Sequence, residues 1–201
     1  QKLSKLDLSR SFQTYSTAVI GKSATGEEAI IAGKKCKDAV GVYPKSVIKI
    51  NTKGYAYNFK GKIGVADSKI DYSASNITSI PQPDGTRVFY HTINGKKHFA
   101  GVENADRSTN PGSVTFRIIG DGKELFAKKM KSGEEMQAID IDIRGIKQLE
   151  LNVDDCGDGH WCDFAIWEDA EITYNVHQAV SITTEVTSSG ESLKSEDWEK
   201  I

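Results

Sequence analysis

The sequence predicts an all-β protein, an antiparallel β-sandwich, on three observations. Across 201 residues, Ile, Val and Thr total 45 while Leu contributes only 7. β-Branched side chains suit a pleated surface and lose rotamer freedom in a helix, so this ratio argues for sheets. The C-terminal half carries three runs in which apolar and polar residues alternate, and compact turn signals separate them, the pattern of short strands in a sandwich. The length suits one domain of ordinary size.

Taken in order, Ala29-Ile30-Ile31-Ala32 reads as a strand closed by Gly33, and Val47-Ile48-Lys49-Ile50 as a strand entered from Tyr43-Pro44. Residues 67–86 are polar, with Pro81, Pro83 and Gly85, and read as a surface excursion. Residues 87–102 read as a hairpin, because Asn94-Gly95 separates two apolar-rich arms and both turn positions need positive φ. His91 and His98 then become cross-strand neighbours. Val114, Phe116 and Ile118 alternate with Thr115 and Arg117, and Ile139, Ile141 and Ile143 with Asp140 and Asp142. Leu149, Leu151 and Val153 alternate with Glu150 and Asn152, so a period of two sends each apolar set to one face. Phe164 and Trp167 are expected in the core. No helix of three turns and no internal repeat is expected. Residues 177–201 are acidic and contain Ser188-Ser189-Gly190, the composition of a linker.

Composition excludes several functions. The formal net charge is −2 and charged residues make up 27%, so no strong field favours nucleic acid or an acidic membrane. No apolar run approaches the roughly 18 residues needed for a membrane span. Gln1-Lys2-Leu3-Ser4 lacks an apolar segment behind its charge, which fits a cytosolic chain or a mature secreted one. Cys156 and Cys162 flank a short loop and form a poor zinc site, because structural zinc wants four ligands. A local disulfide is the expected reading, and it implies an oxidising compartment, secreted or periplasmic or at the cell surface. Closing so short a loop stabilises by ~2–3 kcal/mol and pins the loop more than the fold. Cys36 reads as a small buried hydrophobe.

The richest chemistry lies in Asp154-Asp155-Cys156-Gly157-Asp158-Gly159-His160-Trp161-Cys162-Asp163. As a sugar site, Trp161 offers a flat apolar face to a pyranose while His160 and the carboxylates meet hydroxyls. The plainer reading is a solvated acidic turn. Glycoside hydrolysis needs two carboxyls about 5–10 Å apart across a cleft, one with a raised pKa, and acids on an exposed turn are not so tuned. No nucleophile elbow or phosphate loop is present.

Five segments, taken together, resemble the NPCBM domain, also called carbohydrate-binding module family 51. They are Gly21-Lys22-Ser23 with Gly33-Lys34, Val40-Gly41-Val42-Tyr43-Pro44-Lys45-Ser46, Gly112-Ser113-Val114 through Gly120-Asp121-Gly122-Lys123, Ile139-Asp140-Ile141 through Val153-Asp154, and Asp163-Phe164-Ala165-Ile166-Trp167. The likeness runs over about residues 5–175, interrupted by an insertion at 67–110, within a domain of 1–176. It implies a jelly-roll, galactose-binding-domain-like sandwich. It further implies recognition of glycans ending in galactose or N-acetylgalactosamine, and attachment to a secreted glycoside hydrolase. The residues implied for sugar are Tyr43, Asp67, His160, Trp161 and Asp163. The resemblance also implies a structural calcium between the loop holding Lys22, Thr25 and Glu28 and the late acid Glu171, with Thr25 standing where the family has Asp. Tyr43 replaces a family His, while Phe164 and Ile166 replace polar positions. The competing expectation is therefore a structural or interaction module that has lost its sugar.

Overall fold

The computed structural model describes residues 1–9, 11–14, 17–67, 75–93, 95–103, 112–158 and 162–175. Two five-stranded antiparallel sheets face each other. The first runs β1 (Phe12–Gln13), β6 (Ser46–Asn51), β14 (Gln148–Asp154), β11 (Ser113–Gly120), β12 (Lys123–Lys131). The second runs β13 (Gln137–Asp142), β7 (Ala56–Val65), β15 (Ala165–Tyr174), β5 (Ala39–Val42), β2 (Val19–Ile20). Neighbours far apart in sequence, such as β6 with β14 and β7 with β15, give the crossovers of a jelly roll. Among the described residues the helical content is one 3₁₀ turn, Leu3–Lys5. The all-β expectation is borne out.

The alternating runs lie where their period places them. Val114, Phe116 and Ile118 are buried, and so are Leu149, Leu151 and Val153 on the neighbouring β14. Trp167 of the opposite sheet packs edge-on against Phe116 at 5.0 Å and Phe59 at 6.1 Å between ring centroids, a favoured aromatic geometry. Trp167 and Phe164 are core residues, and Cys36 is buried, as expected.

A third sheet, β8 (Ile77–Pro81), β9 (Arg87–Ile93), β10 (Lys96–Glu103), covers part of the second. The predicted hairpin is β9 and β10, with His91 and His98 in register. The expected surface excursion holds a strand as well, because β8 pairs with β9 from Ile77 opposite His91 to Pro81 opposite Arg87. A short hairpin, β3 (Ile30–Ile31) and β4 (Lys34–Lys35), completes the layer.

This layer creates a second core. Val88 and Val102 of the hairpin join Ile31, Ala39, Tyr43, Phe164 and Ile166 in one buried cluster. Strand β5 is consequently buried at all four positions, Ala39–Val42, instead of alternating. Gly41 is required there: a Cβ would lie 2.4 Å from the Lys22 carbonyl oxygen, since the 22–24 backbone crosses directly over it.

Candidate functional site

The loop between β14 and β15 is built from side chains that bond to its own backbone. Asp154 Oδ1 accepts the Cys156 N–H at 3.0 Å and Asp155 Oδ1 accepts the Gly157 N–H at 3.1 Å, the local turns that Asp favours. Cys156 and Gly157 take positive φ of 54° and 74°, which reverses the chain. At the far end, Asp163 Oδ1 accepts the Ser113 N–H at 2.8 Å, and Ser113 Oγ donates to Asp158 Oδ2 at 2.6 Å. Ser113 thus holds Asp158 and Asp163 against the start of β11. Lys129 of β12 reaches Asp158 at 3.6 Å, and Thr115 Oγ1 lies 3.1 Å from Cys156 Sγ.

Asp163 is fully buried, and its Oδ2 has no hydrogen-bond partner. Burial pushes its carboxyl up to about 9; the Ser113 N–H opposes this, while Asp158 and Asp155 add to it. Lys129 is shifted upward, first by Cys156 and then, against its own desolvation, by Asp158.

Of the predicted sugar residues, Tyr43, Asp67 and Asp163 are among the described residues and lie near Phe164; Tyr43 and Asp163 turn inward, while Asp67 is half-buried. Tyr43 is fully buried, 5.9 Å from the Phe164 ring and 4.7 Å from Phe99, and its hydroxyl accepts the Val102 N–H at 3.1 Å. Asp67 follows Ala66, whose N–H donates to the Phe164 carbonyl at 2.7 Å. Its two carboxylate oxygens accept the Ala32 and Gly33 N–H groups at 3.1 and 2.8 Å, clamping the β3–β4 turn. Asp163 is sealed as described. His160 and Trp161 lie outside the described residues, as does the 177–201 tail.

Cys156 and Cys162, the pair expected to bridge, are free thiols in this structure. Both residues sit at positive φ, 54° and 58°, at opposite ends of the loop, and the Cys156 sulfur faces Thr115. The residues expected around calcium have other partners in this structure. Glu28 pairs with Lys35 and Glu171 with Lys60, while the Thr25 carbonyl lies 3.0 Å from His91 Nε2. Lys22 contributes its backbone to the crossing over Gly41. Among the described residues no three His, Cys, Asp or Glu side chains come together as a metal site.

Two groups escaped the sequence reading. Lys129 is in register with Thr115, so strand parity would have placed it beside the loop once the pairing of β11 and β12 was recognised. Glu168 occupies a position that alternation assigns to solvent, yet it is buried and accepts the N–H groups of Lys37 at 2.8 Å and Asp38 at 3.3 Å. Burial, with Glu168 adding, pushes the Cys36 thiol up to about 12, which leaves it unreactive.

Residues 86–173 match the family model for the NPCBM/NEW2 domain. That span opens at the base of the β9–β10 hairpin and takes in the β14–β15 loop. No curated protein sequence matches the chain. Among solved structures, the fold is similar to the CBM51 of a Clostridium perfringens GH95 in complex with methyl-galactose, with a TM-score of 0.59 and 18% identity over 86% of this chain and 99% of that one. It is similar to CBM51-2 with INT domains of C. perfringens ZmpB, in complex with GlcNAc (TM-score 0.58, 16% identity, 91% of this chain and 31% of that one). It is also similar to the tandem CBM51 modules of a family 98 glycoside hydrolase from Streptococcus pneumoniae (TM-score 0.58, 16% identity, 87% of this chain and 47% of that one). The chain therefore spans only about a third of the ZmpB structure. The resemblance to the NPCBM domain and the sandwich fold are both borne out.

Proposed function

We propose that the chain is a non-catalytic carbohydrate-binding module that grips a terminal galactose or N-acetylgalactosamine at the β14–β15 loop and holds an attached, secreted glycoside hydrolase near its substrate. The observation that carries this reading is the NPCBM/NEW2 match across residues 86–173, which contains the whole of that loop. Ser113 ties Asp158 and Asp163, which flank His160 and Trp161 in sequence, to β11, and anchored flanks lower the entropy lost when a ring docks. Trp161 and His160 supply the stacking face and a polar contact. Affinity of a single such site is weak; its use is the raised effective concentration of the linked enzyme.

A non-catalytic role follows from the carboxyls. A general acid must reach the glycosidic oxygen with its proton. The carboxyl here with a raised pKa, Asp163, is sealed from solvent. Asp154 and Asp158 are engaged by Arg117 and Lys129.

A second reading, an interaction or spacer module, draws on the burial of Tyr43, Phe164 and Ile166 beneath the hairpin layer, where the family resemblance expects polar groups. Isothermal titration with galactose, N-acetylgalactosamine and blood-group oligosaccharides separates the two. Heat that disappears in Trp161→Ala supports sugar recognition; no heat at millimolar sugar, with the protein folded, favours the interaction module.

A further inference from the structure

On one flank of the sandwich the two sheets end in strands of opposite charge, β12 in the first and β13 in the second. Residues 132–136 join them, and β12 packs across from β7, the strand with which β13 pairs. Backbone groups of an antiparallel strand face its two neighbours alternately, residue by residue. The Ser132 N–H donates to the Gly112 carbonyl, and the Ile143 N–H to the Tyr57 carbonyl. On the register of each pair, Ala127, Lys129 and Lys131 therefore turn their N–H and C=O groups away from β11, and Ala138, Asp140 and Asp142 away from β7. Gln137 Nε2 covers one of these groups, the Ala138 carbonyl. Among the described residues neither strand has a second neighbour. An open edge of this kind is a template for another chain.

Side chains set the two edges apart. Strand β12 exposes Lys123, Lys128, Lys129 and Lys131 with one acid, Glu124, whereas β13 exposes Asp140 and Asp142 and no cation. Several of these charges are already matched: Lys129 by Asp158, Glu124 by Arg117 and Asp142 by Arg144. Among the described residues the ammonium groups of Lys123, Lys128 and Lys131 have no hydrogen bond or ion pair, and Asp140 meets the Asn58 amide at 2.5 Å but no cation. Beside these charges Leu125 and Phe126 of β12 and Ile141 of β13 are only partly buried against the core. Like charges facing each other destabilise a strand pair, so the lysines reject a second β12 and favour an extended strand that carries acid. Strand β13 is such a strand, but within one copy it belongs to the opposite sheet. A half-turn about an axis parallel to the strands lays β12 of one copy beside β13 of the other, and the reverse, so one isologous contact makes both pairings. The turn at 132–136 sends the chain back, which makes the joined strands antiparallel. The residues whose backbones face outward also share the solvent face: Lys129 and Lys131 on one edge, Asp140 and Asp142 on the other.

We propose that a second copy of this chain docks on this flank, forming a two-fold dimer in which β12 of each copy pairs with β13 of the other. An axis parallel to the strands leaves both β14–β15 loops at the same end, the arrangement that raises the avidity of weak sites. The test is sedimentation velocity of the whole chain over a wide concentration range at low and high salt, with thermal midpoints confirming that each variant folds. The parent should dimerise, and less tightly as salt rises. Asp140→Lys puts a cation on β13 against the lysines of β12; Lys128→Glu with Lys131→Glu puts acids on β12 against the acid of β13. Each variant alone should lose at least about tenfold in dimer affinity, since attraction becomes repulsion at both seams. Mixed together, the two variants should form a heterodimer, because both seams again join opposite charges. Amide exchange at residues 127, 129, 131, 138, 140 and 142 should slow as concentration rises. A monomer at every concentration, a dimer indifferent to both charge reversals, or no heterodimer on mixing would overturn the proposal. So would protection of these amides that is independent of concentration, which would put another segment of the same copy on the edge. The dimer is measured without sugar, so it can fail while galactose recognition stands, and the reverse.

Discussion

The hydroxyl oxygen of Tyr43, at the end of β5, accepts the backbone N–H of Val102, in the hairpin layer, at 3.1 Å. Both residues are fully buried. This bond crosses 59 positions of sequence and joins the sandwich to the sheet that covers it. It accounts for the aromatic residue at a position where the family resemblance expects His: the side chain must be long and apolar enough to fill the second core, with one oxygen at its tip. Tyr43→Phe keeps the ring and strands the Val102 N–H. Leaving a buried donor unpaired costs about 1–3 kcal/mol, so the urea midpoint should drop accordingly, and the Val102 amide should exchange faster than those of β14.

Asp163 makes stability depend on pH. Its folded pKa is raised from 3.8 to about 9, chiefly by burial, so the folded state prefers the protonated carboxyl. The stabilising contribution is complete below the unfolded value near 3.8 and declines as pH rises through the range up to about 9. Asp163→Asn keeps an oxygen for the Ser113 N–H and cannot ionise. Denaturation curves at pH 4, 6 and 8 should show a stability gain for the variant over the parent that widens steadily with pH; a constant difference would contradict the burial account.

Ala32 adopts φ +46° in the β3–β4 turn, where Asp67 grips its N–H and that of Gly33. A left-handed residue other than glycine costs roughly 1–2 kcal/mol. Ala32→Gly should therefore raise the melting temperature modestly, despite the added entropy of the unfolded chain. Asp67→Ala should lower it by the loss of two acceptors, about 1–2 kcal/mol. Differential scanning fluorimetry on the two variants should give shifts of opposite sign.

Gly112 has φ +88°, and a Cβ there would lie 2.3 Å from the Cys162 carbonyl oxygen. Backbone cannot yield as a flexible side chain does. Gly112→Ala should destabilise by more than about 2 kcal/mol, as expected where strain and a steric clash coincide. Because Gly112 abuts the β14–β15 loop, sugar affinity should fall along with the thermal midpoint. Unchanged values of both would show that the loop does not rest on β11.

Much of the architecture was legible in the residues themselves. Val114, Phe116 and Ile118 announce their strand by alternation, because a sheet packed on one face sends every second residue inward. The hairpin read from Asn94-Gly95 is found as β9 and β10, whose backbone register pairs His91 with His98, because local sequence fixes which residues face each other. These are short-range properties of the chain. Strand β5 breaks the alternation because its second face is covered by residues from 88 to 102, and no local pattern encodes a cover so distant.

The candidate site divides along the same line. Its concentration of acids and the family likeness around it were open to reading in one dimension. The environment of each side chain was decided only on folding, which turned Tyr43 and Asp163 into buried supports and Asp67 into a turn clamp. It also set the lysines of β12 and the aspartates of β13 along one flank of the sandwich. Sequence determines which chemical groups are available and which way a strand alternates; solvent access, charge partners and pKa depend on neighbours that only the stacking of layers brings together.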